Sequence, residues 1–85
     1  MPAKIFVVEK KADKDFLKLP QNIQEKIINA YSTLKINPIA GAKLKGELAN
    51  YYKFRVGDYR IVYKFNSKES ILEVVKIEHR QGVYK

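Results

Sequence analysis

The stretch that decides the fold is YYKFRVGDYRIVYKF, residues 51–65. Apolar and polar side chains alternate along both halves of this stretch, which is the pattern of a half-buried β-strand. The halves meet at Gly57-Asp58, a pair typical of tight hairpin turns because glycine readily adopts the positive φ that they need. The stretch therefore predicts two antiparallel strands joined by a short turn.

Three cations are predicted to share the polar face of this hairpin. Lys53 and Arg55 are two residues apart on the first strand, and Arg60 projects on the same face after the turn. Like charges so close together repel each other and do not stabilise a fold. With the adjacent Tyr51, the pattern is typical of a surface that contacts phosphate and stacks on bases. An ordinary solvated sheet face is the alternative interpretation.

The segments on either side of this hairpin show weaker patterns, and these predict the remaining elements of the fold. Residues 4–9 are rich in β-branched and aromatic side chains and predict an opening strand. Residues 10–19 show helical spacing, and a second amphipathic helix begins at Pro20 and is ended by Asn37-Pro38. Residues 70–80 are apolar on both faces in their middle and predict a final, central strand.

The element order β-α-α-β-β-β predicts an α+β fold. We expect a helical hairpin packed on one face of a four-stranded sheet, in which the strands after the helices form an antiparallel meander. A chain of 85 residues is too short for two separate cores, so residues 1–85 are expected to form one domain.

The composition narrows the classes of function. There are no cysteines and one histidine, so we predict neither a metal site nor a small-molecule cofactor. The longest early apolar run, residues 5–8, is too short for an export signal or a membrane span, which favours a cytoplasmic protein. Seventeen basic against nine acidic residues give a net charge of +8, which attracts polyanions. Charge alone does not separate RNA, DNA, anionic lipid and an acidic protein.

The C-terminal segment HRQGVY, residues 79–84, adds candidates for a site. For His79 alone a surface or capping role is the more usual one, and Tyr84 alone is as suited to anchoring the chain end. Together with Arg80 and the basic face of the hairpin, they indicate a functional site.

Three segments together resemble the RelE/ParE toxin superfamily: Leu44-Lys45-Gly46, residues 52–63 (YKFRVGDYRIVY) and residues 79–84. The similarity extends over essentially the whole chain, and the three motifs are specific in this order. The resemblance implies a toxin of a type II toxin–antitoxin pair. RelE-type members cleave messenger RNA in the ribosomal A site, whereas ParE-type members poison DNA gyrase.

The resemblance also implies which residues form the site. Lys53 and Arg55 fall on the basic strand, Arg60 opens the next strand, and Arg80 and Tyr84 take the C-terminal positions. Arg55 stands where RelE has lysine. ParE-like members generally lack this set, so the sequence favours a ribosome-dependent mRNA endonuclease. A ParE-like gyrase inhibitor, or a degenerate member that only binds antitoxin or RNA, is the alternative.

The partners implied are the ribosome with its 16S rRNA, the messenger RNA, and a cognate antitoxin, a partly disordered and acidic-leaning protein. The lysines expected to contact RNA are those of the first helix and one in the following linker: Lys10, Lys11, Lys14, Lys18 and Lys45. A plain solvated helix face is the alternative for the helical ones.

The expected chemistry is attack of the RNA 2′-hydroxyl on the adjacent phosphorus, without a metal. Arginine donates hydrogen bonds but does not accept a proton, so Arg55, Arg60 and Arg80 are expected to hold the phosphate. The general base that takes the proton of the 2′-hydroxyl is then Lys53, Tyr84 or His79. We rank Lys53 first as base, with Arg80 or Tyr84 assisting the leaving group.

Overall fold

The structure, a computed structural model, describes residues 2–44, 46 and 50–79. Three residues predicted for the site, Lys45, Arg80 and Tyr84, lie outside these ranges. The elements follow one another as β1 (Ile5–Val8), α1 (Lys10–Leu17), α2 (Gln21–Ile36), β2 (Ala42–Lys43), β3 (Tyr51–Val56), β4 (Tyr59–Asn66) and β5 (Ile71–His79).

The sheet has the order β1-β5-β4-β3-β2. Strands β3, β4 and β5 form the predicted antiparallel meander, and β1 pairs with β5 in parallel. The α+β prediction is confirmed, but the predicted number of four strands is wrong. The fifth strand, β2, pairs only Ala42 and Lys43 with β3, and two residues are too few to show an alternation.

The two helices are joined by a short turn that carries its own hydrogen bonds. Lys18 and Leu19 donate from their backbone N–H groups to the carbonyls of Asp15 and Phe16, so α1 closes in a tight last turn. The Gln24 side-chain amide donates to the carbonyls of Phe16 at 3.1 Å and Leu19 at 3.2 Å. Gln24 thereby satisfies carbonyls left free at the end of α1 and fixes α2 against it.

The helices cover one face of the sheet, and the core lies between the two layers. Its fully buried side chains come from both layers: Ile27 and Leu34 of α2, Ile61 and Tyr63 of β4, and Leu72, Val74 and Ile77 of β5. Within the described residues, neither helix is long and apolar enough to cross a membrane.

A β-bulge interrupts the pairing of β4 with β5. Val62 pairs with Lys76 but Tyr63 pairs with Val74, so Val75 is an extra residue on β5. The buried carboxylate of Asp15 accepts a hydrogen bond from the backbone N–H of Ile77 at 3.2 Å, just past the bulge. Helix α1 is therefore bonded to β5 at the point where the strand changes register.

Tyr63 ties the connection after α2 to the sheet. Its hydroxyl donates to the Pro38 carbonyl at 2.7 Å and accepts from the Gly41 N–H at 3.0 Å. A Cβ atom at Gly41 would lie 2.7 Å from the Lys53 carbonyl oxygen and 2.8 Å from the Tyr63 hydroxyl. Only glycine allows the chain to run this close to β3.

Candidate functional site

The predicted cations lie together on the face of the sheet that the helices leave open. Arg55 of β3 pairs directly with Arg60 of β4, and Lys53 pairs with Val62. Residues directly opposed in an antiparallel pair share a face, with Cβ atoms about 5 Å apart. The hairpin register thus agrees with the predicted arrangement of Lys53, Arg55 and Arg60, and we call these three residues the cation cluster.

A shallow depression of about 530 Å³ opens beside the cation cluster. Residues 40–42, Phe54 and all three members of the cluster line it. The wall formed by residues 40–42 is made of small side chains and is held in place by Tyr63. The depression therefore combines a fixed wall with three positive side chains, a suitable arrangement for a phosphate.

Two charged residues of β5 lie beside the cation cluster. The sequence analysis did not identify either of them as part of the site. Glu78 pairs across the ladder with Arg60, and Lys76 pairs with Val62. The Glu78 carboxylate lies with Oε1 3.2 Å from the Arg60 Nε and with Oε2 3.8 Å from the Lys76 Nζ. The Arg60 Nε–H has no hydrogen-bond partner, so its contact with Glu78 is an ion pair without hydrogen-bond geometry.

The three predicted cations share this face, and Arg60 also has a carboxylate beside it, which the sequence analysis did not anticipate. The sequence alone does not show that Glu78 lies opposite Arg60, because residues 71, 72, 74, 75 and 77 are all apolar and hide the register. Leu72 and Val74 alternate, but the next core residue, Ile77, follows after three positions instead of two. Such a slip indicates one extra residue in the strand, which moves Glu78 opposite Arg60.

His79 lies on the other face of the sheet from the cation cluster. It pairs with Tyr59, and the two rings meet edge to face with centroids 5.2 Å apart. Successive strand residues point to opposite faces, so His79 faces the helix side while Glu78 faces the open side. The structure does not bring His79 together with Lys53, Arg55 and Arg60.

Tyr51 lies at the far end of the open face. It pairs with Lys64, whose Nζ sits 5.6 Å above the centroid of the Tyr51 ring. Lys64 also contacts Glu73 at 3.7 Å, and a hydrogen bond between Glu73 and Glu9 raises the pKa of Glu9 above its usual value. This end of the face is mixed in charge, whereas the end with the cation cluster is mainly positive.

The lysines of α1, together with Lys18 directly after its last residue, form a second basic surface on the opposite side of the sheet, and we call these four residues the α1 lysines. Lys10, Lys14 and Lys18 are exposed, as expected for residues that meet a partner or solvent. Lys11 is also exposed, but its Nζ lies 2.6 Å from the Asp15 carboxylate, so it takes part in holding the fold. These lysines do not share a face with the cation cluster.

Among residues 2–44, 46 and 50–79, no three histidine, aspartate or glutamate side chains converge as metal ligands. The described site therefore consists of cations, one carboxylate and a wall of small residues. Its chemistry is that of anion binding with a proton acceptor nearby.

Comparison with known proteins gives the family. A family model described as the ParE toxin of type II toxin–antitoxin systems, parDE, matches residues 6–84. The chain belongs to this family, within the RelE/ParE toxin superfamily.

Relatives and solved structures agree with this membership. Toxin RelG of Mycobacterium tuberculosis is 29% identical over 76 residues, covering 87% of each chain. The protein RelE1 of Methanocaldococcus jannaschii is 34% identical over 83 residues, covering 92% of this chain and 91% of the other.

Among solved structures, the toxin–antitoxin complex RelBE2 from Mycobacterium tuberculosis contains a chain that matches with a TM-score of 0.82 and 27% identity. That match covers 94% of this chain and 93% of the other. The RelE–RelB complex from Pyrococcus horikoshii matches in fold, with a TM-score of 0.82 at 23% identity, over 98% of this chain and 100% of that one.

Proposed function

We propose that this protein is a RelE-type toxin, an endoribonuclease that cleaves messenger RNA in the ribosomal A site and so inhibits translation in the cytoplasm. The observation that carries the proposal is the direct pairing of Arg55 with Arg60, beside Lys53, on an open sheet face next to a depression. An RNA phosphate fits this setting because guanidinium groups donate paired hydrogen bonds to phosphate oxygens.

The cation cluster stabilises the negative charge that builds up on the phosphate during cleavage. The 2′-hydroxyl of the RNA attacks the adjacent phosphorus, and the bond to the 5′-oxygen of the next nucleotide breaks. The products are a 2′,3′-cyclic phosphate and a free 5′-hydroxyl. Lys53, Arg55 and Arg60 supply preorganised positive charge for this step, and Arg80 and Tyr84 complete the site.

The ribosome supplies the orientation that a shallow site lacks. The open face has one wall, formed by residues 40–42, and the depression beside it is not enclosed. Holding the reacting groups in line accounts for a large part of catalysis in such reactions. The exposed α1 lysines bind 16S rRNA from the opposite side and so orient the open face toward the messenger RNA. Lys45, which lies outside the described residues, is a further candidate for contact with RNA.

A cognate antitoxin is the second partner. Relatives of this chain, including the one in the RelBE2 complex, are seen bound to RelB antitoxins. With a net charge of +8, this toxin is suited to a partly disordered, acidic partner that folds on its surface.

The test is cleavage of a defined messenger RNA by the purified protein, with and without programmed 70S ribosomes, followed by mapping of the RNA ends. Cuts that require ribosomes and leave a cyclic or 3′-phosphate support the proposal. Absence of cuts in both conditions, from protein shown to be folded by circular dichroism, contradicts it.

Inhibition of DNA gyrase is the second candidate, and the description of the matching family model as ParE favours it. A supercoiling assay with purified gyrase separates the two functions. A gyrase inhibitor stops supercoiling at protein concentrations that leave ribosome-bound RNA intact, and an endonuclease of the RelE type does the reverse.

A further inference from the structure

One carboxylate, that of Glu78, lies beside the cation cluster, and the proposed function gives it no role. Glu78 lies across the ladder from Arg60 and contacts it at 3.2 Å, on the same open face. Its side chain is partly exposed, at 23%. It is therefore open to a substrate that binds the cluster, while its neighbours keep it in place.

Cleavage by the 2′-hydroxyl needs a group that accepts a proton at neutral pH. Arginine side chains do not accept one, and an ammonium group does so only after it has lost its own proton. His79 faces the helix side of the sheet. Glu78 is the carboxylate that the described residues place beside the cation cluster, and carboxylate oxygens are proton acceptors.

The placement of Glu78 also suits an in-line reaction, in which the attacking and the leaving oxygen are on opposite sides of the phosphorus. Arg60 belongs to the strand between Lys53 and Glu78, because β4 lies between β3 and β5. Lys53 and Glu78 are two strands apart and offset by two residues along the strands, which makes about 12 Å between their backbones, a span that the two side chains can bridge around a bound phosphate. A base on one side and an acid on the other are thus available.

We infer that Glu78 is the general base of the proposed RNA cleavage, with Lys53 in its ammonium form as the general acid. The inference rests on the proposed nuclease function. The 2′-hydroxyl gives its proton to the Glu78 carboxylate as its oxygen bonds to phosphorus. The bond from phosphorus to the 5′-oxygen breaks, and that oxygen takes a proton from Lys53, while Arg55 and Arg60 hold the phosphate oxygens.

The charged groups that face Glu78 come from two strands. Arg60 of β4 and Lys76 of β5 contact its carboxylate, and Arg55 lies one strand further on. All three are positive, so the Glu78 carboxylate lies among groups that also attract an RNA phosphate.

The experiment compares Glu78→Gln with the wild type in ribosome-dependent cleavage, over a range of pH. Glutamine keeps the size and the oxygen next to Arg60 but does not act as a base. We expect cleavage about 10²-fold slower or more, in line with the usual contribution of a general base. Binding of a messenger RNA with a 2′-deoxy sugar at the cleavage position should stay equal or become tighter, because a negative charge has been removed.

The pH profile separates this assignment from one with Lys53 as base. With Glu78 as base, the wild-type rate falls at acid pH, and this fall is lost in Glu78→Gln. With Lys53 as base, the rate instead climbs toward alkaline pH, where an ammonium group loses its proton.

Two further variants act as controls. Glu73→Gln changes a glutamate on the same strand and face that also contacts a lysine, Lys64 at 3.7 Å, but lies at the far end. It should cleave within about threefold of the wild type, since exposed pairs contribute little. Glu78→Asp keeps a carboxylate and should retain more activity than Glu78→Gln.

Each outcome of these experiments either supports or overturns the assignment of Glu78 as the general base. A wild type that cleaves, beside a Glu78→Gln variant that is folded, binds and is slow, supports the inference. Cleavage by Glu78→Gln within about threefold of the wild type, or a loss explained by weaker binding alone, overturns it while the nuclease function stands. A folded wild type that does not cleave overturns the proposed function and this inference with it.

Discussion

The two faces of the sheet use the same strands for different purposes. On the helix side, Ile61 and Tyr63 of β4 are fully buried under the helices. On the open side, Arg60 of the same strand lies among charged neighbours and beside a depression. Alternation along one strand thus separates the residues that stabilise the fold from the charged residues of the proposed site.

Because the two sets of residues lie on opposite faces, we expect that stability and the proposed cleavage activity can be changed separately by substitution. A substitution on the helix side should lower the free energy of unfolding and leave the rate of the folded protein unchanged. A substitution in the cation cluster should do the opposite. The predictions below challenge this contrast, beginning with the largest expected effect.

Leu34→Ala should destabilise the protein most. Leu34 is fully buried in the core, and truncating a buried leucine leaves a cavity, so the free energy of unfolding should fall by about 2–5 kcal/mol. Urea unfolding followed by circular dichroism measures this loss. Ile28→Ala on the same helix is the control, because Ile28 is 51% exposed and should cost about 0.5 kcal/mol or less. Equal losses in the two variants would contradict the placement of the core.

Arg60→Ala should reduce ribosome-dependent cleavage by about 10²–10³-fold, the usual effect of removing one donor that stabilises transition-state charge. Its thermal unfolding should change little, because the ion pair with Glu78 is partly exposed. Lys64→Ala, on the same strand and also paired with a glutamate, is the matched control and should cleave within about threefold of the wild type. A comparable loss in Lys64→Ala would mean that the whole open face, and not the cation cluster, binds RNA.

Tyr63→Phe should destabilise the fold by about 1–3 kcal/mol at neutral pH, because the Pro38 carbonyl and the Gly41 N–H both lose their partner. The segment of residues 40–42 is also one wall of the depression, so this variant tests whether the two faces are independent. A matching loss of cleavage at a temperature where the variant is folded would show that the helix side positions the site through Tyr63.

The Tyr63→Phe substitution should also change how the free energy of unfolding depends on pH. Burial raises the pKa of Tyr63 to about 12, whereas an unfolded tyrosine titrates near 10. Between these values the unfolded chain releases a proton that the folded chain keeps, so the wild type loses stability as pH rises, by about 2–3 kcal/mol at pH 12. Tyr63→Phe lacks this loss, so its stability deficit relative to the wild type should narrow above pH 10. A deficit that is constant from pH 8 to 12 in urea unfolding would contradict the burial of this hydroxyl.

The smallest effect is expected for the α1 lysines. Replacing Lys10, Lys14 and Lys18 by glutamine should leave cleavage chemistry unchanged but weaken ribosome binding. The slope of log affinity against log salt should fall by about 2, since three phosphate contacts are lost. Replacing Lys26 and Lys35 of α2 by glutamine is the control. An unchanged slope would identify the α1 lysines as solvated surface.

Much of this contrast could be predicted from the sequence. The alternation in residues 51–65 fixed both the hairpin and the shared face of Lys53, Arg55 and Arg60, because a two-residue turn leaves one register. The helical hairpin also followed from residue spacing, although α1 ends at Leu17 and not at Leu19, since its last turn tightens before Pro20.

What could not be predicted depends on contacts between distant segments. Continuing the register of the turn between β4 and β5 without a bulge would place Arg60 opposite Ile77, and only the extra residue Val75 moves Glu78 there. The same bulge sets which face His79 takes. The pairing of β2 with β3 rests on the close approach at Gly41, which no local pattern announces.

Gly41 has a consequence for the genetics of this protein. A toxin with the proposed activity stops the growth of cells that express it, so a library of single substitutions should yield growing colonies only where the toxin fails. The arginines of the cluster should give survivors for nearly every replacement, and so should Gly41, because any Cβ there collides with the Lys53 carbonyl oxygen and the Tyr63 hydroxyl. A residue with no side chain and no charge should therefore tolerate replacement as poorly as the cations of the proposed site.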